Sequence, residues 1–224
     1  MPRQLIHHHR FFLGIFSLYI FVGALSFLFY DQGKETLFLD AHHTAILDTF
    51  FVWMTRMAEE TSLLLIGAGL FVWRLKYLLV YIVDLFVVAL VIRFLKYQVF
   101  ADHIRPSLFF GATQHLHFVR DVPVLTLNSF PSGHTATAFA VFFLIAIYVR
   151  RTWASMVLLG LALLVGLSRM YLLEHFWIDV YFGSIIGVSI TLLVYIALQK
   201  PVIHSENAIL NLSLYERYIK RKSS

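Results

Sequence analysis

The 224-residue sequence predicts an all-α, polytopic membrane protein: a six-transmembrane-helix bundle with an interfacial helix in the first outer loop. Three observations predict it. Hydrophobic residues make up 59% of the chain, charged residues only 14%, and mean hydropathy is +0.76; soluble domains carry about 25% charged residues. Several apolar runs meet or approach the roughly 20 residues that a helix needs to cross a bilayer. The lysines and arginines lie between those runs and form no single patch. They read as topology signals and contacts to anionic headgroups, and a nucleic-acid partner is not expected.

Residues 1–10 read as a cytoplasmic segment, with the His7–His9 run as a solvated tail. The first span, 11–30, is too long for a signal peptide and has no small-residue cleavage site. In the outer loop that follows, Ile46, Leu47, Phe50, Phe51, Met54 and Met57 recur at helical spacing against Asp48, Thr49, Thr55 and Arg56. An interfacial helix suits this pattern, and so does a helix packed on the bundle. A short second span covers 61–73, and four more follow at 77–95, 132–149, 153–167 and 178–198. Residues 199–224 form a basic cytoplasmic tail, whose Arg217, Lys220, Arg221 and Lys222 are expected to grip anionic lipid. The membrane-embedded body is thus 11–198.

With a cytoplasmic N-terminus, six spans place eleven of the basic residues inside, including the tight turns Arg74-Leu75-Lys76 and Arg150-Arg151. Both termini come out cytoplasmic, as the positive-inside rule requires. The chain has no cysteine, so disulfides, thiolate metal sites and thiol nucleophiles are excluded. It also lacks a carboxylate cluster of the kind that binds magnesium.

The remaining polar residues gather on the outer side. Lys96 follows the third span, and Arg105-Pro106 come soon after. Pro131-Ser132-Gly133-His134 open the fourth span, Ser168-Arg169 close the fifth, and His175 and Asp179 open the sixth. Polar groups at membrane depth are costly and usually functional. Three cations (Lys96, Arg105, Arg169) call for a multivalent anion: guanidinium forks bind phosphate bidentately, and a helix start at Ser132 and Gly133 offers backbone N–H groups to the same oxygens. His175 and Asp179 stand four apart and would share one face of a helix. The carboxylate can then hold Nδ1–H and leave Nε2 free as a nucleophile, with His134 placed to move a proton. Glu174, beside His175, either raises that histidine's basicity or lines the entrance. Asp84, inside the third span, reads as a structural polar group.

At these residues the sequence resembles the type 2 phosphatidic acid phosphatase superfamily, the lipid phosphate phosphatases related to vanadium haloperoxidases. Its second signature, Pro–Ser–Gly–His, is present at Pro131, Ser132, Gly133 and His134. Its third, Ser–Arg–x5–His–x3–Asp, is matched by Ser168, Arg169, His175 and Asp179. The first, Lys–x6–Arg–Pro, departs: eight residues separate Lys96 from Arg105, so the added pair either bulges out of the loop or shifts the lysine. The resemblance implies a metal-independent, cofactor-free hydrolase of lipid phosphomonoesters or pyrophosphates. His175 would be the nucleophile, His134 the proton donor and Asp179 the orienting group, with Lys96, Arg105, Ser132, Gly133 and Arg169 binding phosphate. Membrane lipids would be its surroundings and a lipid phosphate its substrate, without an obligatory protein partner. The site would face the outer, periplasmic side of the cytoplasmic (inner) membrane. The resemblance implies that hydrolysis passes through a phosphohistidine, and a lipid phosphotransferase using the same intermediate and a non-catalytic lipid transporter or binding protein are the alternatives.

Overall fold

A computed structural model describes residues 2–111, 113–215 and 218, with side chains from Phe11 onward. The His7–His9 run and the basic residues from Arg217 to Lys222 lie outside the described side chains.

The chain folds as helices, in the order α1 (Pro2–Phe29), α2 (Lys34–Ala41), α3 (Ala45–Arg56), α4 (Glu60–Trp73), α5 (Leu75–Phe94), α6 (Pro106–Phe110), α7 (Gly133–Val149), α8 (Thr152–Tyr171) and α9 (Trp177–Leu198). No strand occurs among the described residues. Among the described residues, four segments are long and apolar enough to cross a membrane: Phe11–Phe29, Leu75–Val99, Thr152–Tyr171 and Trp177–Ile203. The helices Glu60–Trp73 and Gly133–Val149 are apolar but shorter. All six coincide with the runs expected from sequence.

Apolar faces decide the packing. The centre is α7, buried on nearly every side and wedged between α8 and α9. Its run of small residues lets α9 come close. A Cβ added at Gly183 would sit 2.6 Å from the Ser132 carbonyl, and one at Gly187 would collide with the Ala136 carbonyl. Glycine is therefore required for contact between the two backbones. Phe12, Phe16, Phe139 and Phe143 fill the α1–α7 seam as a chain of ring contacts. Buried in α5, the Asp84 carboxylate accepts from Thr191 Oγ1 of α9 at 2.9 Å, the structural pairing expected for a polar group at that depth.

Both readings of the first outer loop hold in part. Thr44 caps α3, and the helix buries Phe51 and Thr55 against α8. Its opposite side leaves Ile46, Phe50 and Trp53 exposed, an apolar face suited to the membrane interface. At the far end of the bundle, Lys76 Nζ donates to the Ile203 carbonyl and to Asn211 Oδ1, which ties the segment after α9 to the start of α5.

Candidate active site

The polar residues singled out in the sequence converge at one end of the bundle. Their placement follows from four local structures.

The first is the end of α5. Residues Leu95–Val99 widen into a π turn, closed by Phe100 N–H on the Leu95 carbonyl at 2.8 Å. A π turn accommodates an additional residue without lengthening the helix, and this one lies within the extended Lys96–Arg105 stretch. Lys96 faces the site loop: its Nζ donates to the Asn128 carbonyl at 2.7 Å.

Arg105 precedes α6, whose first residue is Pro106, a position where a missing N–H costs nothing. The Arg105 amide binds the Thr126 carbonyl and its Nε binds the Leu127 carbonyl at 2.9 Å. The guanidinium thereby clamps the long loop before α7.

At the start of α7, Ser132 is the N-cap. Its buried hydroxyl accepts from the Thr135 amide and from Thr135 Oγ1. The first intrahelical bond runs from Ala136 N–H to the Ser132 carbonyl, so the Gly133 and His134 amides belong to the helix's open end, where anions are favoured. The Ser132 amide donates to the Asp179 carbonyl at 3.0 Å and joins this end to the start of α9.

The fourth structure is the turn from α8 to α9. The Arg169 carbonyl accepts both the Glu174 and the His175 amides. Leu173 takes φ +59°, a left-handed conformation that costs a non-glycine residue roughly 1–2 kcal/mol. Strain of this kind is tolerated where surrounding contacts fix the chain. Here the turn presents Glu174 and His175 inward, 3% and 1% exposed.

His175 and Asp179 do not share a helix face, as their spacing led us to expect. Helix α9 begins only at Trp177, and Asp179 is its capping residue: Oδ2 accepts Phe176 N–H at 2.9 Å. The same oxygen lies 3.3 Å from His175 Nδ1 and takes the Ser129 hydroxyl at 2.5 Å. The pairing survives by a different geometry, with the carboxylate held by a backbone amide and a serine. Burial, followed by the charges of Lys96, Arg105 and Arg169, holds the His175 pKa well below the ordinary histidine value.

Arg169 is 6% exposed. Its Nη1 donates to Thr55 Oγ1 of α3 at 2.5 Å, Nη2 lies 3.4 Å from Glu174 Oε2, and Nε is buried without a partner among the described residues. Glu174 also forms a close ion pair with Arg105 Nη1, which donates to the Glu174 carbonyl as well. The glutamate therefore serves the arginines and not His175. His134 and Lys96 are half-buried and mark the accessible side of the site. Burial chiefly lowers the Arg105 pKa, opposed by Glu174.

Sequence reasoning missed Ser129 and Thr55. Ser129 carried a faint signal, since it stands two residues before Pro131. Thr55 carried none. Two apolar grooves, of 650 Å³ between α1, α2, α8 and α9 and of 590 Å³ between α4 and α5, lie away from the histidines.

Fold and site define a helical membrane protein with a histidine–carboxylate pair behind a ring of cations. The chain belongs to the PAP2 superfamily, whose model matches residues 73–203. It is 25% identical to the transmembrane PAP2-type phosphatidylglycerolphosphate phosphatase of Bacillus subtilis, with a TM-score of 0.57 over 88% of this chain and 96% of that one. Its fold also resembles LpxE of Aquifex aeolicus, with a TM-score of 0.65 at 22% identity over 74% of this chain and 95% of that one. A curated relative, the bacitracin transport permease protein BcrC of Bacillus licheniformis, is 38% identical over 96 residues. That match covers 42% of this chain and 43% of the relative.

Proposed function

We propose that this protein hydrolyses the phosphomonoester or pyrophosphate of a membrane lipid through a phosphohistidine. The observation that carries the reading is the buried His175, held at Nδ1 by Asp179 and set beside Arg169, whose buried Nε has no acceptor among the described residues. Undecaprenyl pyrophosphate, phosphatidylglycerol phosphate, phosphatidate and the phosphates of lipid A are the candidate substrates.

His175 Nε2 attacks phosphorus in line with the leaving oxygen. A P–N bond forms as the P–O bond breaks, and His134 gives its proton to the departing alkoxide or phosphate. Water then enters from the same side. His134 takes its proton, the P–N bond breaks, and inorganic phosphate leaves with His175 restored. Lys96, Arg105, Arg169, Ser132 and the open amide of Gly133 meet the equatorial oxygens, where charge is greatest. Three cations and a helix terminus supply the neutralisation that a metal would otherwise provide. The Arg74–Lys76 and Arg150-Arg151 turns favour an orientation in the cytoplasmic membrane with both termini inside and the site outside.

The test is phosphate release by the detergent-purified protein on the four lipid classes, with EDTA and without added metal, beside His175→Ala. Turnover that persists in EDTA and disappears in the variant supports the reading. Unchanged turnover in His175→Ala refutes the nucleophile, and loss of wild-type turnover in EDTA refutes metal independence.

A further inference from the structure

The phosphate-directed cations already hold an anion, and it is part of the chain. Glu174 Oε2 pairs with Arg105 and lies 3.4 Å from Arg169 Nη2. Lys96 also acts on it electrostatically. We infer that Glu174 is an internal counter-anion occupying the phosphate site of the unliganded enzyme, and that it takes up a proton when phosphate binds. The inference rests on the anion-site reading above.

The surroundings give Glu174 nowhere else to carry its charge. Its amide is held by the Arg169 carbonyl and its own carbonyl by Arg105 Nη1, so the backbone stays in place. Behind it, Phe118, Val119, Val122, Leu125 and Leu172 line a cavity of about 10 Å³, at the lower limit for a single water molecule. A carboxylate turned away from the arginines would enter apolar surroundings, and an ionised carboxylate in such a place neutralises itself. The charges agree. Glu174, Asp179 and a phosphate dianion would set four negative charges against the three positive charges of Lys96, Arg105 and Arg169. One proton entering the cluster restores balance. His134 takes it when it serves as the acid toward a leaving group, whereas sulfate has no leaving group to protonate and Glu174, displaced from its arginines, takes it and becomes a donor to an anion oxygen. Burial foremost already raises the Glu174 pKa, opposed by Arg169, Arg105 and Lys96. His134 from α7 and His175 face the same three cations, as Asp179 faces Lys96 and Arg105, while Glu59 acts on Arg169 and Tyr97 on Arg105.

Sulfate is the suitable probe, because it stays doubly charged throughout the neutral range. Calorimetric titration of the full-length protein in buffers of different ionisation enthalpy reads both affinity and proton uptake. In the wild type, sulfate binding takes up one proton from the buffer, and the Kd rises by up to about tenfold per pH unit between about pH 6 and 8. Glu174→Gln binds sulfate more tightly than the wild type at the upper pH and loses that proton uptake. A purely structural glutamate would give the opposite, weaker binding on substitution. Weaker binding by Glu174→Gln, or wild-type binding without proton uptake, overturns the inference, and the second readout requires no variant. Arg169→Ala separates the two layers. If it abolishes sulfate binding, the anion site stands whatever Glu174 does. If sulfate binds neither variant nor wild type, or binds Arg169→Ala unchanged, the site reading falls and the inference with it.

Discussion

Asp179→Asn isolates the charge behind the nucleophile. The asparagine is isosteric, and its amide oxygen can retain the contacts to Phe176 N–H, Ser129 Oγ and His175 Nδ1, at 2.9, 2.5 and 3.3 Å. What disappears is the negative charge opposite the ring. As Nε2 bonds to phosphorus the imidazole becomes cationic, and the carboxylate stabilises that developing charge. At the 3.3 Å separation and an effective dielectric constant of about 20, the Coulomb energy is about 5 kcal/mol. At 1.36 kcal/mol per tenfold, that corresponds to a fall in kcat of roughly 10³–10⁴. Stability should change by no more than about 1–1.5 kcal/mol, the scale of one altered hydrogen bond. Rapid-quench measurement of phosphate release, alongside thermal unfolding in detergent, checks both. A variant that unfolds like the wild type yet loses less than about tenfold in kcat would refute the assignment of Asp179 as the charge partner of His175.

Three further outcomes follow from the same geometry. Thr55→Val leaves Arg169 Nη1 without its 2.5 Å acceptor, a loss of about 1.5–3 kcal/mol for a charged donor. The unfolding temperature should fall and KM rise, and an unchanged KM would show that α3 does not position the guanidinium. Gly183→Ala drives a Cβ to 2.6 Å from the Ser132 carbonyl and should cost about 1–3 kcal/mol. It should also lower kcat by displacing His134, whereas wild-type stability and activity would mean that α7 and α9 have slack. Because burial and the neighbouring cations depress the His175 pKa, nitrogen NMR of labelled histidine should show a neutral ring at about pH 6, below the unperturbed value of about 6.5. Its folded pKa lies below its unfolded one, so the stability it contributes is complete above the unfolded value. That stability is lost as pH falls from there toward the folded pKa. A protonated His175 ring at that pH would contradict the burial argument.

The apolar runs made the helices legible. A segment such as 178–198 has no means of satisfying its backbone in lipid except as a helix, and α9 starts and ends within a residue of it. Sidedness was legible too, because Arg150-Arg151 forces α7 and α8 into a hairpin and brings Pro131-Ser132-Gly133-His134 level with Ser168-Arg169. Local chemistry was read less well. The His175–Asp179 spacing implied a shared helix face, but a capping carboxylate on Phe176 N–H was the better use of an acid three residues into α9. The π turn at Leu95–Val99, within the longer stretch before Arg105, left no mark in the sequence.

The sequence by itself determined which residues are helical, which end of the bundle collects the polar groups, and the histidines, arginines and carboxylate gathered there. Each depends on hydrophobic run length or on residues close in the chain. Tertiary structure alone decided how those groups are engaged. Arg169 meets Thr55 across 114 positions, Arg105 meets Glu174 across 69, and Ser129 meets Asp179 across 50. Such pairings have no periodicity to betray them. They exist because α3 packs on α8 and Phe176, just after the α8–α9 turn, packs against Phe109 and Phe110 of α6, where buried donors and acceptors must find partners within hydrogen-bond reach.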